Sequence, residues 1–407
     1  MMVERFEEHL VKDHEAISSL SPQYTQHGGY TLRTRFAVHP GGTLLRIPKE
    51  SLLNVESECI RNVYPSSLFE SLTSIQILTI HMSRMGLGDG SFTDHEQQYL
   101  STLPDDFTFH PLYWTNERLQ RLPEQAQKLI HDVQRRYTED LLAFEGMYEV
   151  LKKTRLITVS LVEYHDKFKW AWLIVNTRCL YYPIKGAEKE SQLSLCPYLD
   201  LLNHSSPTPN TDNLFNSLPK PEIPMREGGY EIINNSDRTI EQDEEITFMY
   251  GPHSDDFLLA EYGFALGWQL NAFTEVNITS EVTALVKEDW KRIELEQNGS
   301  WGDYTLHLYP SPAWPSQRTL MALRLVCLDD SDASAWREMV NYQVEIVSEE
   351  NESRARGALA EICQNIARVS REMMQRNKDD SLVCTLWEST YATATQVEDS
   401  IKRNVSF

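Results

Sequence analysis

The sequence predicts an α+β protein: a β-rich core interrupted by a helical insertion and followed by an all-helical C-terminal domain. Three observations carry that class. Strand-like alternation occurs in two separated places, around 30–48 and around 230–250. Between them, from about residue 66, apolar residues recur at helical spacing. Past about residue 272 the period stays near 3.6 to the end of the chain.

The elements follow in order. Met1 to Leu10 is charged and helical in pattern, unlike a secretory leader. Residues 30–38 alternate as a strand, His39-Pro40-Gly41-Gly42 reads as a turn, and 43–48 as a second strand, together a β-hairpin. Leu68, Leu72, Ile75, Leu78 and Met82 open the helical stretch, which continues through 117–122, 125–137 and 139–151. Breaks fall at Leu103-Pro104 and at Pro111 to Trp114. Residues 170–178, Trp-Ala-Trp to Thr-Arg, form a dense and mostly apolar element.

Residues 205–229 are rich in Pro, Asn and Ser and read as a long loop. Residues 230–234 and 245–250 read as strands flanking a polar turn at 237–243. Helices are predicted over 315–328, 354–374 and 381–401, after a joint at Pro310-Ser311-Pro312. The expected division is 1–65, 66–155, 156–271 and 272–407.

A chain of 407 residues fits two or three modules. A net charge of −22 argues against nucleic-acid binding, which needs a basic face to displace phosphate counterions. It permits a basic protein partner. The six cysteines include no Cys-x-x-Cys and no close Cys/His pair, so no metal is expected and the thiols should be reduced. No apolar run approaches the roughly 20 residues that span a bilayer. These readings place the chain in the cytoplasm or nucleus, with no membrane partner.

Two stretches carry chemistry. Leu199-Asp200-Leu201-Leu202-Asn203-His204-Ser205 and Phe248-Met249-Tyr250-Gly251, the latter continuing to Glu261-Tyr262-Gly263-Phe264, each run apolar and then end in hydrogen-bonding side chains. Taken singly they read as structure: an Asn ending a run makes a turn, Tyr-Gly ends many strands, and Arg178 with Asp200 forms an ion pair. Several chemistries are absent as motifs: Gly-x-Gly-x-x-Gly, the P-loop, Gly-x-Ser-x-Gly and His-Glu-x-x-His. A hydrolase built from adjacent His204 and Ser205 lacks the needed geometry.

The order of these motifs, with the glycine-containing first strands and Trp-Ala-Trp/Thr-Arg upstream, resembles the SET-domain methyltransferases, in particular the subgroup typified by the Rubisco large-subunit lysine methyltransferase. The resemblance covers nearly the whole chain. It implies a split SET core with a helical insertion and a C-terminal substrate-binding domain. It also implies methyl transfer from S-adenosyl-L-methionine to a lysine of a protein substrate. By resemblance, Gly28, Gly29, Tyr30, Arg178, Asp200, Asn203, His204 and Tyr250 surround the cofactor. Tyr250 is the catalytic residue that aligns amine and methyl donor, and Tyr262 and Phe264 line the lysine channel.

The residue types suit that task. A lysine amine has a pKa of roughly 10.4, so neutralising it at pH 7 costs about 4.6 kcal/mol. A narrow aromatic channel disfavours the ammonium by desolvation, and a neighbouring sulfonium adds to the effect. In-line displacement then needs alignment of nitrogen, methyl and sulfur. Three positions depart from the family pattern: Thr31 stands where the second glycine of Gly-x-Gly is usual, Asp243 where a Gly is usual, and Asp255 where an Asn is common. Two alternatives stay open, a SET-like binding module without turnover and a methyltransferase acting on histidine or a small molecule.

Overall fold

The structure is a computed structural model and describes residues 2–25, 29–184, 192–207, 225–226, 228–328, 333–341 and 344–407. The α+β class holds. In chain order, helix α1 (Met2–His14) leads into strands β1 (Ile17–Ser18), β2 (Leu20–Thr25), β3 (Gly29–Thr34) and β4 (Thr43–Pro48). Helices α2 (Glu58–Arg61), α3 (Ser66–Ser71), α4 (Ser74–Leu87), α5 (Asp94–Leu100), α6 (Asn116–Leu119), α7 (Glu124–Lys153) and α8 (Leu161–Arg178) follow. Strands β5 (Cys179–Tyr181), β6 (Leu193–Leu195), β7 (Asn203–His204), β8 (Met225–Arg226), β9 (Gly229–Ile233) and β10 (Glu245–Phe248) precede helix α9 (Asp255–Tyr262). The remainder holds β11 (Glu275–Asn277), α10 (Thr279–Leu285), α11 (Asp289–Gln297), β12 (Thr305–His307), β13 (Trp314–Pro315), α12 (Gln317–Val326), α13 (Ser334–Val340), α14 (Glu349–Arg376) and α15 (Ser381–Lys402).

The chain forms two compact units: residues 1–113, 131–205 and 218–250 make the first, and 114–130, 206–217 and 251–407 the second. In the first unit the strands build two four-stranded sheets, in the orders β1-β4-β9-β8 and β2-β3-β10-β7, and a two-stranded one, β5-β6. The expected hairpin of 30–38 with 43–48 does not form. Strand β3 is paired on both edges, by β2 and β10, and β4 likewise by β1 and β9, so neither has a free edge for the other. The turn between them is real: Gly41 has φ +79°, a value glycine adopts without cost, and the Gly42 N–H donates to the His39 carbonyl at 2.9 Å.

Strands β9 and β10 diverge in the same way. Each sheet therefore takes one strand from each sequence-adjacent pair, and the bridge between Val38 and Ile240 joins the two crossings. The arrangement buries Leu20, Leu32, Leu45, Ile47, Ile232 and Ile246, each contributing about 1.5–3 kcal/mol by removal from water.

Local signals set the helix ends. Thr73 and Gln76 form a capping box at the start of α4, and Gly88, at φ +64°, ends it. That box interrupts the expected continuity from Leu68 to Met82, so α3 stops at Ser71. The stretches 125–137 and 139–151 form one helix, α7, because nothing between them breaks the ladder. The dense apolar element at 170–178 is the end of α8, which Ser160 caps. Its buried face stacks Phe168 on Phe144 at 5.0 Å, and Trp172 donates to Asp140 Oδ2 at 2.7 Å.

The C-terminal part of the second unit is predominantly helical, with α14 and α15 packed along each other. The all-helical expectation is corrected here: β11, β12 and β13 form a three-stranded antiparallel sheet. These strands are two or three residues long, too short for periodicity to reveal, and Pro315 belongs to β13 and not to α12. Leu306, Leu308, Leu323, Trp336, Leu359 and Val397 share the unit's buried core. All six cysteines are free thiols. No helix among the described residues is long and apolar enough to cross a membrane.

Candidate active site

The two motifs meet through a parallel pairing of two residues on each side. Asn203 of β7 lies opposite Thr247 of β10, and His204 opposite Phe248. The Ser205 N–H extends the ladder to the Phe248 carbonyl at 3.1 Å, and the Ser205 and Thr247 hydroxyls are 2.7 Å apart. This short ladder is the device that turns two distant stretches into one site.

Beyond the ladder, the Tyr250 N–H donates to His204 Nδ1 at 3.0 Å. Nδ1 therefore carries a lone pair. The Tyr250 hydroxyl donates to the Leu202 carbonyl at 3.0 Å, which fixes the ring beside the Asn-His stretch. Its ring lies 5.1 Å from that of His204 and 4.9 Å from that of Phe248, centroid to centroid. The phenol proton points at a carbonyl, so the oxygen's lone pairs remain able to accept.

Asp200 and Arg178 form the ion pair read from the sequence. Arg178 Nη1 donates to the Asp200 carbonyl at 3.0 Å and to Oδ2 at 3.2 Å. Tyr99, on α5, donates to the same Oδ2 at 2.8 Å. Burial pushes the Asp200 carboxyl up, against the pull of Arg178 and Tyr99. Burial works against the Arg178 cation too, but Asp200, Tyr99 and Tyr250 outweigh it and its pKa is raised. Two buried atoms of the pair, Asp200 Oδ1 and Arg178 Nε, have no hydrogen-bond partner among the described residues. Just upstream, Tyr198 is held at φ 74°, a costly value for an aromatic residue, with its ring fully buried.

Asn203 Nδ2 reaches the Tyr30 carbonyl and Glu245 Oε1, both at a long 3.4 Å. Thr31 is buried and donates to the same Glu245 oxygen at 2.5 Å, so its side chain is engaged across the sheet. Gly29 has φ +69° and open space where a β-carbon would sit. Gly28 lies outside the described residues. Asp243 has φ +63°, which accounts for the glycine usual at that position; Asp is among the residues that tolerate it, and here it pairs with Arg33 at 3.2 Å.

Tyr262 and Phe264 belong to the second unit, where Gly263, at φ +84°, ends α9 and brings their rings to 6.2 Å. In that unit a β-carbon at Gly251 would lie 2.1 Å from Nε2 of His253, so a larger residue would have to displace that ring from its stack on Phe257 at 4.0 Å. Asp255 is a structural hub. It accepts from the Leu266 and Gly267 N–H groups at 2.9 and 3.1 Å, from Asn271 Nδ2 at 3.1 Å and from the Ser389 hydroxyl at 3.3 Å.

The structure thus brings Tyr30, Arg178, Asp200, Asn203, His204 and Tyr250 into one unit, through strand pairing and the contacts described. Sequence reasoning missed Tyr99, Glu245 and the Leu202 carbonyl. Nothing in the chain near Tyr99 points to Asp200, whereas Glu245, opening the strand that ends at Tyr250, could have been weighed.

Comparison with known proteins bears on the same residues. The model described as SET domain matches residues 29–251, and that described as Rubisco LSMT substrate-binding matches 288–383. The chain is 29% identical over 298 residues to the Ribosomal lysine N-methyltransferase set11 of Schizosaccharomyces pombe, covering 72% of this chain and 67% of that one. It is 25% identical to SET domain-containing protein 4 of Mus musculus, covering 86% and 78%. The solved structure of Rubisco LSMT bound to AdoMet superposes with a TM-score of 0.67 at 18% identity, over 99% of this chain and 92% of that one. The SET domain of LSMT bound to lysine and AdoHcy gives 0.66 at 19% identity, over 99% and 91%. These superpositions speak for the fold.

Proposed function

The chain belongs to the SET-domain family, and from that premise we propose that it is a protein-lysine N-methyltransferase using S-adenosyl-L-methionine. The observation that carries the reading is the parallel β7–β10 pairing, which sets Asn203-His204 against Tyr250 with the Tyr250 N–H on His204 Nδ1.

The residues present fit the cofactor. Gly29 leaves room for a close backbone approach, and the buried Asp200 Oδ1 and Arg178 Nε retain unused hydrogen-bonding capacity. The weakly held Asn203 amide can exchange its 3.4 Å contacts for better ones. We assign Gly28, Gly29, Tyr30, Arg178, Asp200, Asn203 and His204 to holding it. When bound, the group supplies an electrophilic methyl on a sulfonium.

The chain's own residues do the rest. Tyr250, its proton committed to the Leu202 carbonyl, offers lone pairs that orient the acceptor amine. The aromatic surroundings favour the neutral amine over the ammonium. We assign Tyr262 and Phe264 to the acceptor channel and residues 272–407 to recognising the protein that carries the lysine, with 66–155 as the insertion of a core formed by 1–65 and 156–271.

A basic ribosomal protein is the acceptor class we favour. The Schizosaccharomyces pombe relative is a ribosomal lysine N-methyltransferase, and a chain of net charge −22 attracts a basic partner. The setting is then the cytoplasm. Labelling ribosomal proteins from cells lacking this chain with methyl-tritiated cofactor, followed by acid hydrolysis, tests the proposal. Labelled methyl-lysine is the expected product. Labelled methyl-histidine, or cofactor binding without any transfer, would reject it.

A further inference from the structure

We propose that His9, His14 and His95 form a binding site for one divalent transition-metal ion of the zinc type, pinning helix α1 to helix α5. All three belong to the first unit, His9 and His14 on α1 and His95 on α5. One nitrogen from each lies within 4.8 Å of the other two. A tetrahedral ion with ligands at about 2.05 Å needs roughly 3.4 Å between them, a difference that small side-chain rotations close.

The hydrogen bonds around the rings carry the inference. His9 Nδ1 faces Asp13 Oδ2 at 2.8 Å. A carboxylate only accepts, so Nδ1 carries a proton, and in the neutral ring that a metal requires Nε2 presents a lone pair. His95 Nε2 faces the Ser51 carbonyl at 3.0 Å, so by the same logic its Nδ1 presents the lone pair. Those two lone-pair atoms, His9 Nε2 and His95 Nδ1, are buried and have no hydrogen-bond partner among the described residues. A metal-ligating histidine typically has one nitrogen tied to a carboxylate or a carbonyl and the other left bare.

The third ring completes the set. His14 lies 5.0 Å from His9 and 4.5 Å from His95, centroid to centroid. It ends α1, whose last carbonyls favour a cation, and Glu15 turns the chain away at φ 56°. Phe6 packs against His9 and His95 and gives one side of the cluster an apolar wall. Burial also holds His95, at about 4, and His14 below the ordinary histidine range, consistent with neutral rings.

A second cluster, Cys59 with His81 and Glu96, does not share these properties. Both His81 nitrogens are occupied, by Tyr64 and Glu96, and burial pushes the Cys59 thiol up to about 12. The expectation of no metal rested on local Cys/His spacing; here one ligand comes from a helix far along the chain.

Titrating the chelator-stripped full chain with Zn2+ against a chromophoric competitor tests the site. The expected result is one ion per chain, held at least about tenfold more weakly by His95→Gln, by His14→Gln and by the outer-sphere variant Asp13→Asn. No saturable uptake, or uptake unchanged in these variants, overturns the proposal. Co2+ spectra of the parent chain decide the matter even where a variant fails to fold. A tetrahedral d–d spectrum without sulfur-to-cobalt charge transfer supports it; a charge-transfer band lost in Cys59→Ser overturns it, as does a spectrum unchanged from aqueous Co2+.

Discussion

Tyr250 and His204 are joined across the end of a strand pair: the Tyr250 N–H donates to His204 Nδ1 at 3.0 Å while the two rings lie 5.1 Å apart. The bond selects the imidazole tautomer, and the Tyr250 hydroxyl returns to Leu202, one residue before Asn203. Backbone and side chain of one residue thus brace the whole Asn-His stretch.

Tyr250→Phe removes the hydroxyl and keeps the ring and the bond to His204. Single-turnover methyl transfer should fall by about 100-fold, the cost of a lost aligning group, with cofactor affinity little changed. Calorimetry of cofactor binding beside the rate measurement separates the two. An unaltered rate would remove Tyr250 from the chemistry.

Tyr99→Phe removes one of the two side-chain donors to Asp200 Oδ2, and Oδ1 already lacks a hydrogen-bond partner among the described residues. We expect a loss of about 1–3 kcal/mol in denaturant unfolding, as for a buried carboxylate deprived of a donor. Cofactor binding should weaken too. Equal stability with undiminished affinity would show that Tyr99 does not support the pair.

Arg118 grips Asp380 with two bonds, at 2.7 and 3.1 Å, while its guanidinium lies 3.5 Å over the Trp114 ring. Asp380 also caps α15 through the Val383 N–H. Burial would raise the Asp380 carboxyl, but Arg118 and the cap bond outweigh it and the pKa is lowered. The stability this adds is present above the ordinary Asp range and is lost as pH falls through the lowered value. Asp380→Ala should cost about 2 kcal/mol at pH 7, cap and ion pair together, and progressively less in acid. A deficit independent of pH would contradict the charge account.

Asp256 shifts the opposite way. Burial first, then Asp255 and Glu275, push its carboxyl up to about 7. A raised acid favours the folded state most below its unfolded pKa of about 3.9, and that contribution is lost as pH rises towards 7. Asp256→Asn should therefore gain stability over the parent at pH 8 and lose that advantage near pH 4. Thermal melts of both chains across this range provide the comparison, and parallel curves would place the carboxyl in water.

Much of the site was legible because its chemistry is local: Asn203-His204 and Tyr250-Gly251 are contiguous, and the Arg178–Asp200 pair was foreseen as an ion pair. What lay hidden was long-range. Tyr99 meets Asp200 through folding of the helical insertion, and no spacing rule relates them. The hairpin expected at 30–48 failed for a related reason. Its turn is sound, but edge pairing with β9 and β10 outcompetes the neighbour in sequence. Of the departures, Asp243 follows from a left-handed backbone and Asp255 from its four donors, neither visible without coordinates.

The two-residue length of the β7–β10 pairing also makes the site fragile to changes in length. Side chains alternate along a strand, so inserting or deleting one residue between 245 and 249 would turn Tyr250 to the opposite face. The β3 ladder on the other edge of β10 grips Glu245 and Ile246 and stops short of Tyr250, so it does not restore the phase there. Substitutions here should be graded in their effects, whereas frame-preserving insertions or deletions of a single codon should abolish activity outright.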